Sequence, residues 1–250
     1  MDKASPVRLK IKRAEKHISD LDVCIQSFFD SNPYRIGAKP HPVAAINHTT
    51  LFIAEVQPVP SDIALILGDA IHNLRSALDH LAWQLVKAGG GQPDRDTFFP
   101  ICESSQQYAS AFGRGEIKRM PVGAEKVLSS IQPYQTLDQN LWLLHRLDII
   151  DKHRLLLTIA AIMDKWGIDF AAGQRVWLSD HRFVALIVGN EITNIPTSTY
   201  ERHSNQDFKL GLDIAFAEPE IAEGDLVLQT TKKLLDLVNG IVSNFEPFLI

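Results

Sequence analysis

Apolar side chains recur every three to four positions along several stretches of this chain, and that period predicts helices. Ile11, Ala14, Ile18, Leu21, Ile25 and Phe28 mark one amphipathic helix over about 5–31. Ser5-Pro6 reads as its N-cap and first-turn proline, and Ser31-Asn32-Pro33 as its end. Residues 33–60 hold five prolines and little helical period; within them Thr49–Gln57 is β-branched and aromatic, the pattern of a strand in a hairpin or extended arm. Leu67, Ile71, Leu74, Leu78, Leu81 and Leu85 then fall within roughly 80° of one another on a helical wheel. They predict a second helix over about 62–88, capped by Ser61 or Asp62 and stopped at Gly89-Gly90-Gly91.

Residues 92–136 are mixed, with short helices expected near 104–112 and 122–131. A third main helix starts at Leu137 or Asp138 and runs to about His153. The period then shifts toward strands across 155–217, with candidates at Leu155–Met163, Gln174–Ser179, Arg182–Val188 and Asp207–Phe216. Asn190–Asn205 is polar and reads as a loop. A last helix over about 225–248 turns Leu228, Leu234 or Leu235, Leu237 or Val238, Ile241, Val242 and Phe245 inward. Helices at both ends with strands between predict one α+β domain over 1–250. It would be a bundle of about four long helices with an antiparallel β-sheet inserted before the C-terminal helix. A division near residue 154 is the alternative, but it would part the last helix from its bundle.

Composition narrows the class. Of 250 residues, 45% are apolar and 22% charged, which excludes a disordered or collagen-like chain. The longest apolar run, Leu155–Met163, is far short of a membrane span. Met1-Asp2-Lys3-Ala4-Ser5-Pro6 has no apolar core behind its charges, so no secretory leader is expected. Cys24 and Cys102 make neither a disulfide framework nor a metal spacing. A soluble, reduced, cytoplasmic protein is the expectation. The net charge of −5 argues against coating duplex DNA, although residues 1–20 hold six basic groups against three acidic. One small basic pocket acting on nucleic acid is compatible with that balance.

The second helix carries an unusual polar set. Asp69, His72, Ser76, Asp79 and Trp83 lie opposite the leucine stripe, with Arg75 on one flank and Asn73 and His80 on the other. A solvated face is usually rich in Glu and Lys; this one has no Glu and only Lys87. The third helix is apolar almost all round, yet His145, Asp148, Asp151 and Lys152 follow one face at spacings of three and four, with His153 just beyond. Charges on a buried helix need partners, and the polar face of the second helix is the candidate. One reading is an internal salt-bridge lattice, with Asp148–Lys152 and Arg75–Asp79 as i,i+4 pairs. Another is a metal site from His72, Asp79, His145 and Asp148, although no Glu-x-x-His pair occurs.

The segment Gly68-Asp69-Ala70-Ile71-His72-Asn73-Leu74-Arg75-Ser76-Ala77-Leu78-Asp79-His80-Leu81, followed by Asp151-Lys152-His153-Arg154, resembles a family of uncharacterised bacterial and phage proteins. More distantly, Arg75-x4-His80 on a bundle helix resembles the HEPN superfamily. Its members are helical, usually dimeric and often metal-independent ribonucleases with an Arg-x4–6-His motif. The resemblance implies His80 as the acid/base group and Arg75 as the phosphate clamp. Asn73 and Asp79 would orient them, and Asp151, Lys152 and His153 would approach from the third helix. It also implies RNA as substrate, a homodimer and no metal or other cofactor. An imidazole titrates near neutrality and can move a 2′-OH proton, and a guanidinium fork suits a pentavalent phosphoryl group.

Arg35–His41, Arg146–His153 and Arg175–His181 have similar spacings, so spacing alone does not single out the pair. Ser76 stands where the superfamily often has Asn, Asp or His, and on an ideal helix Arg75 and His80 are about 140° apart. They would share a site only across a groove or a dimer interface. No Gly-x-Gly-x-x-Gly, Walker A loop or Gly-x-Ser-x-Gly elbow occurs. Gly113-Arg114-Gly115 with Lys118 and Arg119 is a small basic loop. Two functions remain open: a HEPN-like metal-independent ribonuclease or toxin/defence effector acting through Arg75 and His80, and a non-catalytic interaction or ligand-binding protein whose polar cluster is structural.

Overall fold

The structure, a computed structural model, describes residues 4–43, 45–114, 119–134, 139–162, 166–169, 175–178, 184–203 and 211–249. It is an α+β protein with seven α-helices among the described residues. Four long helices form the bundle: α1 (Ser5–Asp30), α2 (Ser61–Ala88), α5 (Gln139–Asp151) and α7 (Val227–Phe245). α2 is central and packs on the other three. Its leucine stripe is fully buried, and Ala70, Ala77 and Ala82 on its other sides are buried too, letting neighbouring helices approach. Lys10 lies against Asn73 and His17 against Asp69, so α1 runs antiparallel to α2. The inner sides of α1 and α7 follow the expected periods, from Ile11 to Phe28 and from Leu234 to Phe245.

Both expected helix caps differ. Ala4 already has helical dihedrals and precedes α1, so Ser5 lies inside the helix and not at its N-cap. Pro60, extended at φ −58° and ψ 134°, precedes α2, so Ser61 is its first residue. Asp62 still places a negative charge in the first turn, where the helix dipole favours it. At the other end Gly90, at φ +78°, turns the chain in the left-handed region, and the Gly91 N–H donates to Val86 O. Short helices α3 (Ser105–Arg114) and α4 (Ala124–Ile131) follow. The expected start of the third helix at Leu137 or Asp138, and residues 115–118 of the basic loop, lie outside the described residues.

An antiparallel sheet lies before the C-terminal helix, as the sequence suggested, and the strands as a whole divide among more than one sheet. β1 (Tyr34–Pro40) and β2 (His48–Val56) make the hairpin; β3 (Thr158–Ile162), β4 (Trp166–Asp169), β5 (Arg175–Leu178), β6 (Val184–Ala185), β7 (Glu191–Pro196) and β8 (Leu212–Phe216) come from the strand-rich part. They divide into three antiparallel sheets, β1-β2-β7, β6-β3-β8 and β4-β5. The polar loop expected over Asn190–Asn205 is instead β7 followed by α6 (Thr197–His203). β7 pairs with β2 at the sheet edge and buries Ile195, while Thr50 Oγ1 donates to Asn194 Oδ1 at 2.6 Å. An edge strand with one wet face is polar by composition, which is why it reads as a loop.

Candidate functional site

The polar residues of α2 and α5 meet along one helix–helix seam. Asp151 lies against Gly68, His72 against Asp148 and Arg75 against His145, so α5 runs antiparallel to α2. The register depends on Gly68. A Cβ there would fall inside the Asp151 carboxyl, so the closest crossing is at a residue without a side chain.

At one end of the seam Arg75 is buried at 6% exposure. Its Nη1 donates to Asp79 Oδ1 at 2.5 Å, its Nη2 to the Phe99 carbonyl at 3.1 Å and its Nε to His145 Nδ1 at 3.4 Å. Asp79 Oδ1 also accepts the Phe99 N–H at 2.9 Å. Both polar groups of the Phe99 backbone are thereby satisfied, and the Phe99 ring is fixed in the core against Phe245. This is a structural clamp, and it occupies the guanidinium that the Arg-x4-His reading needs on a phosphate.

His80 does not join it. It is exposed on the opposite flank of α2, toward α1, where burial first and the Lys10 charge second lower its pKa. Asn73 faces α1 as well, donating to Asp69 O at 2.8 Å and accepting from Lys10 Nζ at 3.5 Å. The roughly 140° between positions 75 and 80 therefore persists in the fold, and the two side chains face different neighbours.

The middle of the seam is different. Asp148, 2% exposed, accepts from His72 Nδ1 at 3.0 Å on one oxygen and from Lys152 Nζ at 2.5 Å on the other. With the carboxylate as acceptor the Nδ1–H donates, and in the neutral ring Nε2 then presents a lone pair. Ser76 Oγ lies 3.3 Å from that Nε2. The His72 side chain is 49% exposed, so the carboxylate is sealed while the imidazole stays open to solvent. His153 is exposed beyond the helix end and joins no cluster.

The flanking groups have shifted acidities. Burial, then the neighbouring Asp148 and Asp69 carboxylates, raise Asp151. Burial and then Arg75 lower His145, which fits its role as acceptor for Arg75 Nε. His17 is also lowered, mainly by burial. A histidine whose folded pKa is depressed favours the unfolded state once protonated, so stability should fall as pH drops through and below about 6.5. Urea unfolding between pH 5.5 and 7.5 should show that slope, flattened in His145→Gln. An unchanged slope in the variant would remove His145 from the explanation.

No protein-family model, curated protein or solved structure matches this chain.

Among the described residues no group of three or more His, Cys, Asp or Glu side chains is placed to hold a metal ion. The four residues considered as a metal set are engaged pairwise: His72 with Asp148, and Asp79 and His145 each with Arg75. Cys24 and Cys102 are not joined in a disulfide. No helix among the described residues is long and apolar enough to cross a membrane.

Sequence reasoning missed one strong polar site. Glu218, 1% exposed, takes a fork from Arg154, with Nη1 to Oε1 at 2.9 Å and Nη2 to Oε2 at 2.7 Å. Oε1 also accepts the Leu157 N–H at 2.7 Å. The Arg154 of the DKHR segment thus ties the end of α5 to the loop after β8. Nothing in the polar run Glu218-Pro219-Glu220 signals a buried carboxylate.

Proposed function

We propose that the protein is a metal-independent ribonuclease whose acid–base group is His72, held by Asp148, in place of the Arg75/His80 pair. The observation that carries this reading is the 3.0 Å contact between an open imidazole and a sealed carboxylate. Such a carboxylate fixes the tautomer and stabilises the imidazolium formed when Nε2 takes a proton. His72 Nε2 would remove the proton of a ribose 2′-OH. The 2′-oxygen then attacks the adjacent phosphorus and the 5′-oxygen leaves, taking its proton from solvent. Lys152, half-exposed and paired with the same Asp148, puts a cation at this seam. RNA as the substrate class rests on the basic residues Lys10, Lys12, Arg13 and Lys16 of α1.

A second reading is supported by the saturated Arg75 clamp: the whole seam is structural and the protein binds a ligand or partner without catalysis. Purified wild type, His72→Ala and His80→Ala, each with and without EDTA, separate the two. The ribonuclease reading expects cleavage that survives EDTA, is retained in His80→Ala and falls by about 100-fold or more in His72→Ala. Cleavage lost in His80→Ala would restore the original pair. No cleavage by the folded wild type on single-stranded or structured RNA would leave the non-catalytic reading.

A further inference from the structure

Ser76 adds a hydroxyl to the open end of the His72–Asp148 pair. Its Oγ is 3.3 Å from His72 Nε2, one helical turn away, and the opposite ring nitrogen is 3.0 Å from Asp148 Oδ1. Hydroxyl, imidazole and carboxylate thus form one chain, from a partly exposed oxygen to a buried anion. The second carboxylate oxygen is held by Lys152 at 2.5 Å, which stops Asp148 from rotating away from the ring. The inner distance lies in the range in which a base and its orienting group work together; the outer, at 3.3 Å, is just beyond it, as such contacts often are before a substrate binds.

We propose that Ser76, His72 and Asp148 form a nucleophilic relay that takes the acyl group of small activated esters. This activity shares the His72–Asp148 pair with the ribonuclease reading but does not require RNA. His72 Nε2 removes the Ser76 hydroxyl proton as Oγ bonds to the ester carbonyl carbon. The carbon–oxygen bond to the leaving alcohol breaks, and the imidazolium returns the proton to that oxygen. Water, deprotonated by the same nitrogen, then adds to the acyl-serine. Acid is released and Ser76 recovers its proton.

Position on the helix limits the substrate. Ser76 lies in mid-α2, so its backbone N–H is committed to the helix and cannot serve as an oxyanion donor. With weak oxyanion support, the leaving group must carry the reaction. Aryl esters fit this requirement, and amides and alkyl esters do not.

The test uses the full chain with a fluorophosphonate probe and, separately, with p-nitrophenyl acetate. Intact mass and peptide mapping should show one adduct per chain, on Ser76. The acetate should give a burst of nitrophenolate stoichiometric with protein. Labelling should vanish in Ser76→Ala and slow by about 100-fold or more in His72→Gln and Asp148→Asn, with circular dichroism verifying that each variant is folded. No adduct on Ser76, labelling spread over lysines and tyrosines, or equal labelling of Asp148→Asn would overturn the relay. The two activities fail separately: an adduct without RNA cleavage retains the relay and removes the ribonuclease, and cleavage without an adduct does the reverse.

Discussion

Arg75→Lys should lower the unfolding free energy by about 2–4 kcal/mol, whereas His80→Ala should change it by no more than about 0.5 kcal/mol. The difference follows from where the two side chains go. Arg75 is 6% exposed and uses three separate nitrogens on Asp79, the Phe99 carbonyl and His145. An ammonium is a point donor on a stem of different length and cannot span those three acceptors, so at least one buried acceptor loses its partner. The loss reaches the core, because Phe99 is fully buried and its carbonyl is one of the three. Adding Asp79→Asn to Arg75→Lys should cost less than the two single effects together, since both remove the same contact. Urea melts of the wild type, the three single variants and the double variant measure all of this. An Arg75→Lys protein as stable as wild type but unable to cleave RNA would reverse the assignment, making Arg75 a phosphate clamp after all.

The second large effect is expected at the junction of α5 and the loop after β8. Glu218→Ala should cost about 2–3 kcal/mol, since it removes a charge-assisted fork and strands the Leu157 N–H. Arg154→Ala should also destabilise, and its defect too is largest near neutral pH. In that variant a carboxylate at 1% exposure loses its cation, so its defect should shrink as acid protonates Glu218. In the wild type, burial alone would raise the Glu218 pKa. The Arg154 fork and the Leu157 N–H outweigh it and bring the group below its ordinary value. A depressed carboxyl contributes stability that is present above about pH 4.3, its unfolded value, and is lost as pH falls through the folded value. Thermal melts from pH 3 to pH 7 should show wild type and Arg154→Ala converging toward the acid end. Parallel curves would mean that Glu218 stays ionised without Arg154, and the fork would not be what holds its charge.

Much of the bundle was legible because a helix imposes a period on whatever it buries. The leucine stripe of α2 and the apolar positions of α1 need only the 3.6-residue turn to be found. The same periodicity exposed the anomaly, a polar face short of Glu and Lys opposite an almost wholly apolar α5. The i,i+4 pairs Arg75–Asp79 and Asp148–Lys152 were legible for the same reason, since both members lie on one helix. The His72–Asp148 contact was not. It depends on how α5 slides along α2, and that is set by the close approach at Gly68.

Arg75 shows the limit most clearly. Its spacing to His80 matched a motif, but its direction was decided by Phe99, in a segment with no pattern of its own. β7 was hidden because a one-faced edge strand is as polar as a loop, and Glu218 because local sequence does not report burial. By itself the sequence determined where the long helices lie, which side of α1, α2 and α7 is buried, and that charged groups on a buried helix must find partners. Only the tertiary structure decided which partners they found. Pairing across helices is fixed by interhelical register and by backbone groups from distant loops, and neither has a period along the chain.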